Sequence, residues 1–156
     1  MPFFPVISPV ELFFLDIKKS PLQVHFADVS QQDNIGTGFS ANEFSQWPES
    51  LGLAALRDAE LVQTFAEVAR EEYKAIGVRS ALHPQIDLAT EPRWSRIGNT
   101  MGEDADLTSE LVVAYIKGFQ GEKLGRHSVT TVTKHFPGGG PMENGEDSHF
   151  TYGKNA

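Results

Sequence analysis

The chain alternates two kinds of hydrophobic periodicity, and that alternation limits its possible folds more than any other feature. Strand-like stretches at 22–26 (LQVHF), 78–87 (VRSALHPQID) and 128–134 (SVTTVTK) are separated by two amphipathic stretches. The first strand alternates apolar and polar residues, which places one set on each face. The third is rich in β-branched residues, which pack well on a pleated surface. Leu61, Phe65, Val68, Ala69, Tyr73 and Ile76 recur at steps of three and four. They predict a helix over 58–76, with Asp58 as its cap and Gly77 as its left-handed stop. Leu107, Leu111, Val112, Tyr115, Ile116 and Phe119 predict a second helix, capped by Asp106 or Thr108. A short helical turn is expected within 39–47, before Pro48, and Pro84 is expected at the end of the second strand.

Strand, helix, strand, helix, strand is an α/β order. Parallel strands need crossovers of this length, and such crossovers are right-handed. An open doubly wound sheet and a piece of a (β/α)8 barrel both satisfy this order. In both, ligands bind at the carboxyl ends of the strands. Polar groups gather at that end of all three strands: Asp28 after the first, Asp87 to Arg96 after the second, Lys134 and His135 after the third.

The third strand runs directly into KHFPGGG, residues 134–140. Two hydrogen-bonding side chains thus sit where a buried strand ends, and a proline and three glycines stop regular structure. The glycines permit a sharp turn and close backbone approach. Lys and Arg only donate, Asp only accepts, and His does either. A convergent set of that kind matches a ligand covered in hydroxyls, such as a sugar, with Trp47 and Trp94 as possible aromatic platforms. Each residue taken singly also has a plainer reading. Lys134 suits a solvated strand end and His135 a structural histidine. Arg93 and Arg96 can pair with Glu91, Glu103 or Asp104, Asp28 can cap a turn, and the tryptophans can be core or rim residues.

Composition narrows the remaining choices. The formal net charge is −8 and basic residues do not cluster, which disfavours nucleic acid and anionic membrane as partners. There is no cysteine, hence no disulfide framework, zinc-thiolate site or cysteine nucleophile. The glycine run lacks the G-x-x-x-x-G-K-[ST] spacing of a nucleotide loop. His127, His135, Asp147 and His149 lack metal-ligand spacing, so no metal is expected. The apolar start has no basic front region, and Pro2, Pro5, Pro9, Glu11 and Asp16 interrupt it, so it reads neither as a secretory signal nor as a span. The compartment stays open.

Four pieces, in order, resemble the N-terminal barrel domain of family 3 glycoside hydrolases, the β-glucosidase family. They are SLGLAAL with RDAEL (50–61), HPQIDLATEPRWSRIGNTMGEDADL (83–107), GFQG (118–121), and KHFPGGG with GEDSH (134–149). The resemblance implies an incomplete (β/α)8 TIM-barrel of about three parallel strands with crossover helices over 21–156, and leaves 1–20 unplaced. It implies retaining exo-hydrolysis of β-linked glucose from non-reducing ends, without a cofactor, on a β-glucoside or oligosaccharide substrate. It also implies sugar-binding roles for Arg96, Lys134, His135 and, more loosely, Asp28, with Asp147 and His149 as loop contributors. The family's nucleophile lies on a later strand and its acid/base in a second domain. Both are expected outside this chain, which alone is expected to be inert and to self-associate through open barrel edges. Asn99 stands where many members have a glutamate.

Two alternatives accompany this reading. A β-N-acetylglucosaminidase of the same family follows KHFPGHG with four residues and DSH, whose histidine serves as acid/base. Here six residues, PMENGE, precede Asp147-Ser148-His149, and Gly139 replaces the histidine. The other is a carbohydrate-binding protein without catalysis.

Overall fold

The computed structural model describes Ser45 and residues 47–75 and 77–149. The predicted first strand, Asp28 and most of the predicted turn before Pro48 lie outside the described residues. The pattern gave no warning of a short helix after Pro48, α1 (Ser50–Ala54). Helix α2 (Ala59–Ala75) follows, with Asp58 Oδ1 accepting from the Leu61 N–H at 3.0 Å as the sequence predicts. Glu60 in its first turn and Lys74 in its last complement the helix dipole. Gly77, at φ +87°, ends it. The Val78 N–H bonds the Tyr73 carbonyl at 2.9 Å and the Gly77 N–H bonds that of Lys74 at 3.1 Å, the paired closure that a left-handed residue permits.

The second long helix, α3 (Ala105–Gln120), is capped by Asp104 rather than by Asp106 or Thr108. Asp104 Oδ1 reaches the Asp106 and Leu107 N–H groups at 3.0 and 3.1 Å. A cap must stand outside the helix to reach those amides, and Asp106 is already within the first turn. Both buried faces are rotated slightly from the predicted stripes. Val62 and Ala66 on α2, and Ala114 and Gly118 on α3, are buried, whereas Leu61, Val68 and Val112 are only half-buried. The reason is the close crossing of the two helices. A Cβ on Gly118 would collide with Ala66 Cβ and lie 2.6 Å from the Gln63 carbonyl oxygen.

Strands β1 (Ser80–Ala81) and β2 (Thr130–Thr131) pair in parallel, as the crossover order requires. The predicted strands are longer, and the ladder is indeed broken at 82–84. Ser80 opposes Thr130, an offset of fifty, but Gln85 opposes Lys134, an offset of forty-nine. One extra residue is therefore accommodated around Pro84, which has no N–H to offer the ladder. Pairing resumes with Lys134 N–H to the Pro84 carbonyl at 3.0 Å and Ile86 N–H to the Lys134 carbonyl at 2.6 Å. Opposed residues of a parallel pair share a face, so Gln85 and Lys134 lie side by side.

The helices cover one face of this pairing. Phe65, Tyr73, Tyr115 and Phe119 are at most 1% exposed and stack edge-on or tilted, with centroids 5.1 to 5.8 Å apart. Each such side chain stabilises the fold by about 1.5–3 kcal/mol through burial. His83 sits within them, its ring nitrogens 2.8 Å from Tyr73 Oη and 2.7 Å from Tyr115 Oη. It ties the strand to both helices, and satisfies three buried polar groups at once.

Candidate functional site

Two loops leave the carboxyl ends of the strands: 87–96 after β1 and 134–149 after β2. Each sends one buried aspartate to grip the other. Asp87, whose side chain is fully buried, offers Oδ2 to His135 Nδ1 at 2.7 Å and Oδ1 to the Gly139 N–H at 2.5 Å. In return, Asp147 Oδ2 accepts from Trp94 Nε1 at 2.8 Å and from Arg96 Nε at 2.6 Å. Its Oδ1 accepts from the His149 N–H at 3.0 Å and faces His149 Nδ1 at 2.5 Å. The Arg96 guanidinium also lies over the Trp94 ring, 5.1 Å from its centroid.

Glycines make this approach possible. Gly145 has φ +81°, and a Cβ there would lie 2.7 Å from Arg93 Cβ, so the turn Glu143–Gly145 can press onto the other loop and bring Asp147 under Trp94. Gly139 presents its bare backbone to Asp87, and a Cβ there would lie 3.2 Å from the His135 ring.

The electrostatics follow from burial. Burial alone would raise the Asp147 carboxyl, but the His149 amide and ring, the Trp94 indole and the Arg96 guanidinium together hold it well below the usual carboxylate range. Lys134 is pushed below the ordinary lysine value, first by burial and then by the charge of Arg96, with Asp87 opposing both. Lys134 thus feels the charges of Arg96 and Asp87, while Asp87 holds His135 and Asp147 holds Arg96. Such a set presents strong donors beside one imidazole.

The same architecture occurs in known proteins. The family model described as the glycosyl hydrolase family 3 N terminal domain matches residues 16–155. The chain belongs to this family. It is 77% identical over 124 residues to Beta-glucosidase C of Emericella nidulans, a match covering 79% of this chain and 20% of that protein. It is 51% identical over 129 residues to a periplasmic beta-glucosidase/beta-xylosidase of Dickeya chrysanthemi, covering 81% and 20%. A variant beta-glucosidase of Listeria innocua solved with laminaribiose superposes with a TM-score of 0.64 at 35% identity, covering 67% of this chain and 15% of that one. The chain thus spans about a fifth of the length of these two curated relatives. Its fold is a portion of the TIM-barrel-like α/β domain of glycosyl hydrolase family 3.

Of the residues singled out in the sequence, the structure brings Arg96, Lys134, His135, Asp147 and His149 to one end of the strands, while Asp28 lies outside the described residues. Arg96 does not pair with Glu91, Glu103 or Asp104. Arg93 does take the plainer course, exposed and bound to Glu91 at 2.8 and 2.9 Å. That pairing pulls the Glu91 carboxyl down to about 2. Neither tryptophan is an open platform. Trp94 is 1% exposed, and Trp47 packs against Phe65 with ring centroids 5.2 Å apart. Sequence reasoning placed Asp87 among the polar groups after the second strand but gave it no role and no partner. The available signal was an acid closing a strand beside a lysine–histidine pair, but spacing alone could not reveal that it binds both His135 and Gly139.

Proposed function

We propose that this chain carries part of the sugar-binding subsite of a β-glucosidase that removes β-linked glucose from non-reducing ends with retention, and that the nucleophile and acid/base lie outside it. The observation that carries this reading is the convergence of Arg96, Lys134 and His135 between two buried carboxylates at the carboxyl ends of parallel strands. A glucosyl ring presents hydroxyls that both donate and accept, and these groups can serve several at once. Held in place, they orient the anomeric carbon toward an attacking carboxylate. Hydrogen bonds that strengthen as oxocarbenium character develops lower the barrier by several kcal/mol. The relatives named beta-glucosidases support this choice of substrate, as does the solved neighbour holding laminaribiose.

The test is calorimetric titration of the purified chain with glucose and gluconolactone, beside an assay with an aryl β-glucoside. Binding without turnover is expected, weakened about tenfold or more by Arg96→Ala or Lys134→Ala, since hydrogen bonds from charged groups are the strong ones. Failure of either sugar to bind, or binding indifferent to both substitutions, would defeat the proposal.

A second reading rests on the contact between Asp147 Oδ1 and His149 Nδ1 at 2.5 Å. A histidine held by a carboxylate in this way, with its side chain 59% exposed, suits proton transfer, as in a β-N-acetylglucosaminidase of the same family. Turnover of an aryl N-acetyl-β-glucosaminide that disappears in His149→Gln would favour it over the first.

A further inference from the structure

We propose that Asp87 is a positioning residue that fixes the hydrogen-bonding sense of His135, so that the site selects a ligand hydroxyl able to donate to His135 Nε2. The proposal deepens the carbohydrate reading above and rests on it for the identity of the ligand. A carboxylate only accepts. Asp87 Oδ2 stands 2.7 Å from His135 Nδ1, so in the neutral ring Nδ1 carries the proton and Nε2 keeps its lone pair. The other oxygen is held by the Gly139 N–H at 2.5 Å, and the Asp87 side chain is wholly buried, so the carboxylate cannot swing away. The His135 side chain is 36% exposed, so part of the ring is within reach of a ligand.

The consequence is selectivity. Lys134 and Arg96 bring donors only, so they tolerate any acceptor, whether hydroxyl, ether or fluorine. His135 is the acceptor of the set. A hydroxyl can donate to Nε2 while accepting from an ammonium, and fluorine cannot donate at all. The ligand position facing His135 must therefore carry a true hydroxyl.

Asp87→Asn reverses the logic without changing the shape. The Gly139 N–H can only donate, so it takes the asparagine oxygen. The asparagine NH2 is then left facing Nδ1, which must become an acceptor. The proton moves to Nε2, and His135 turns into a donor. A residue with a purely structural role would weaken binding alike for all analogues; a tautomer-setting residue changes which analogue is preferred.

Two measurements decide the matter. The first is long-range proton–nitrogen correlation on histidine-labelled protein at about pH 8, where neutral imidazole dominates in general, with His135→Gln identifying the signals. Nδ1–H with a bare Nε2 is expected in the unsubstituted chain, and the opposite tautomer in Asp87→Asn. A proton on Nε2 of the unsubstituted chain overturns the proposal, and this spectrum decides alone if Asp87→Asn does not fold. The second is titration with glucose analogues in which each hydroxyl in turn is replaced by fluorine or hydrogen. At one ring position fluorine should cost as much as hydrogen, about tenfold in Kd, and Asp87→Asn should recover part of that loss. Fluorine tolerated at every position in the unsubstituted chain overturns the selectivity. Absence of any glucose binding would instead defeat the carbohydrate reading, while the tautomer would still decide the role of Asp87.

Discussion

Arg96 Nε donates to Asp147 Oδ2 at 2.6 Å across 51 residues of chain, and the two side chains are only 7% and 4% exposed. The bond uses the inner nitrogen of the guanidinium, which also lies over the Trp94 ring. One contact thus ties the two loops together.

Removing one partner of such a pair leaves a buried charge without compensation, which costs more than the pair's own net worth. Asp147→Ala is therefore expected to destabilise the chain by about 3–5 kcal/mol, read from urea unfolding. The double variant Arg96→Met with Asp147→Leu should recover a large part of that loss while abolishing sugar binding. If the double variant is no more stable than Asp147→Ala, the ion pair is not what holds the loops together.

His83 contributes to the acid sensitivity of the fold. Burial foremost, and the charge of Lys134 after it, push its imidazole down to about 3. In the unfolded chain a histidine takes up its proton below about pH 6.5. The folded state therefore binds fewer protons between these values. Stability is complete above the upper one and declines as pH falls toward the lower, by at most ~1.4 kcal/mol per pH unit. His83→Gln can still bond both tyrosines but does not titrate. Its denaturant midpoint should be lower at neutral pH and flatter across that window. An equally steep slope in His83→Gln would place the acid sensitivity elsewhere.

The sequence made some of this legible because local rules were obeyed. Asp58 caps α2 and Gly77 closes it where the pattern says, since caps and left-handed stops depend on a few neighbouring residues. The parallel order followed from crossover length. What the sequence hid is non-local. The rotation of the α2 and α3 faces depends on Gly118 meeting Ala66, residues 52 positions apart, and the broken ladder depends on one extra residue around Pro84. At the site, the motif match named Arg96, Lys134 and His135. The acids that hold them were less visible, because a buried acid near a strand end looks like any polar loop residue until its partner is known.

Gly139 was legible only as a turn former, yet its hydrogen has a more particular use. A Cβ at this position would lie 3.2 Å from Cβ, Cγ and Nδ1 of His135, closer than side chains usually pack. Gly139→Ala keeps the N–H that binds Asp87 but displaces the ring by a few tenths of an ångström. Glucose binding should weaken by about tenfold, equivalent to ~1.4 kcal/mol, with a smaller change in unfolding free energy. Equal losses in both would mean that the alanine disturbs the loop as a whole.

Gly118 separates propensity from packing. In an exposed helix, replacing glycine by alanine stabilises by about 0.8–1 kcal/mol. Here the added methyl group meets the Gln63 carbonyl oxygen at 2.6 Å and overlaps Ala66 Cβ, and backbone cannot yield as a flexible side chain can. Overpacking of this kind costs about 1–3 kcal/mol, so packing should win. Gly118→Ala is expected to be net destabilising despite the better helix former. Adding Ala66→Gly should restore part of the loss, because it removes one of the two collisions, whereas the same Ala66→Gly alone should only destabilise. Chemical denaturation of the four combinations checks this. A stabilised Gly118→Ala would mean that α2 and α3 stand farther apart than the structure places them.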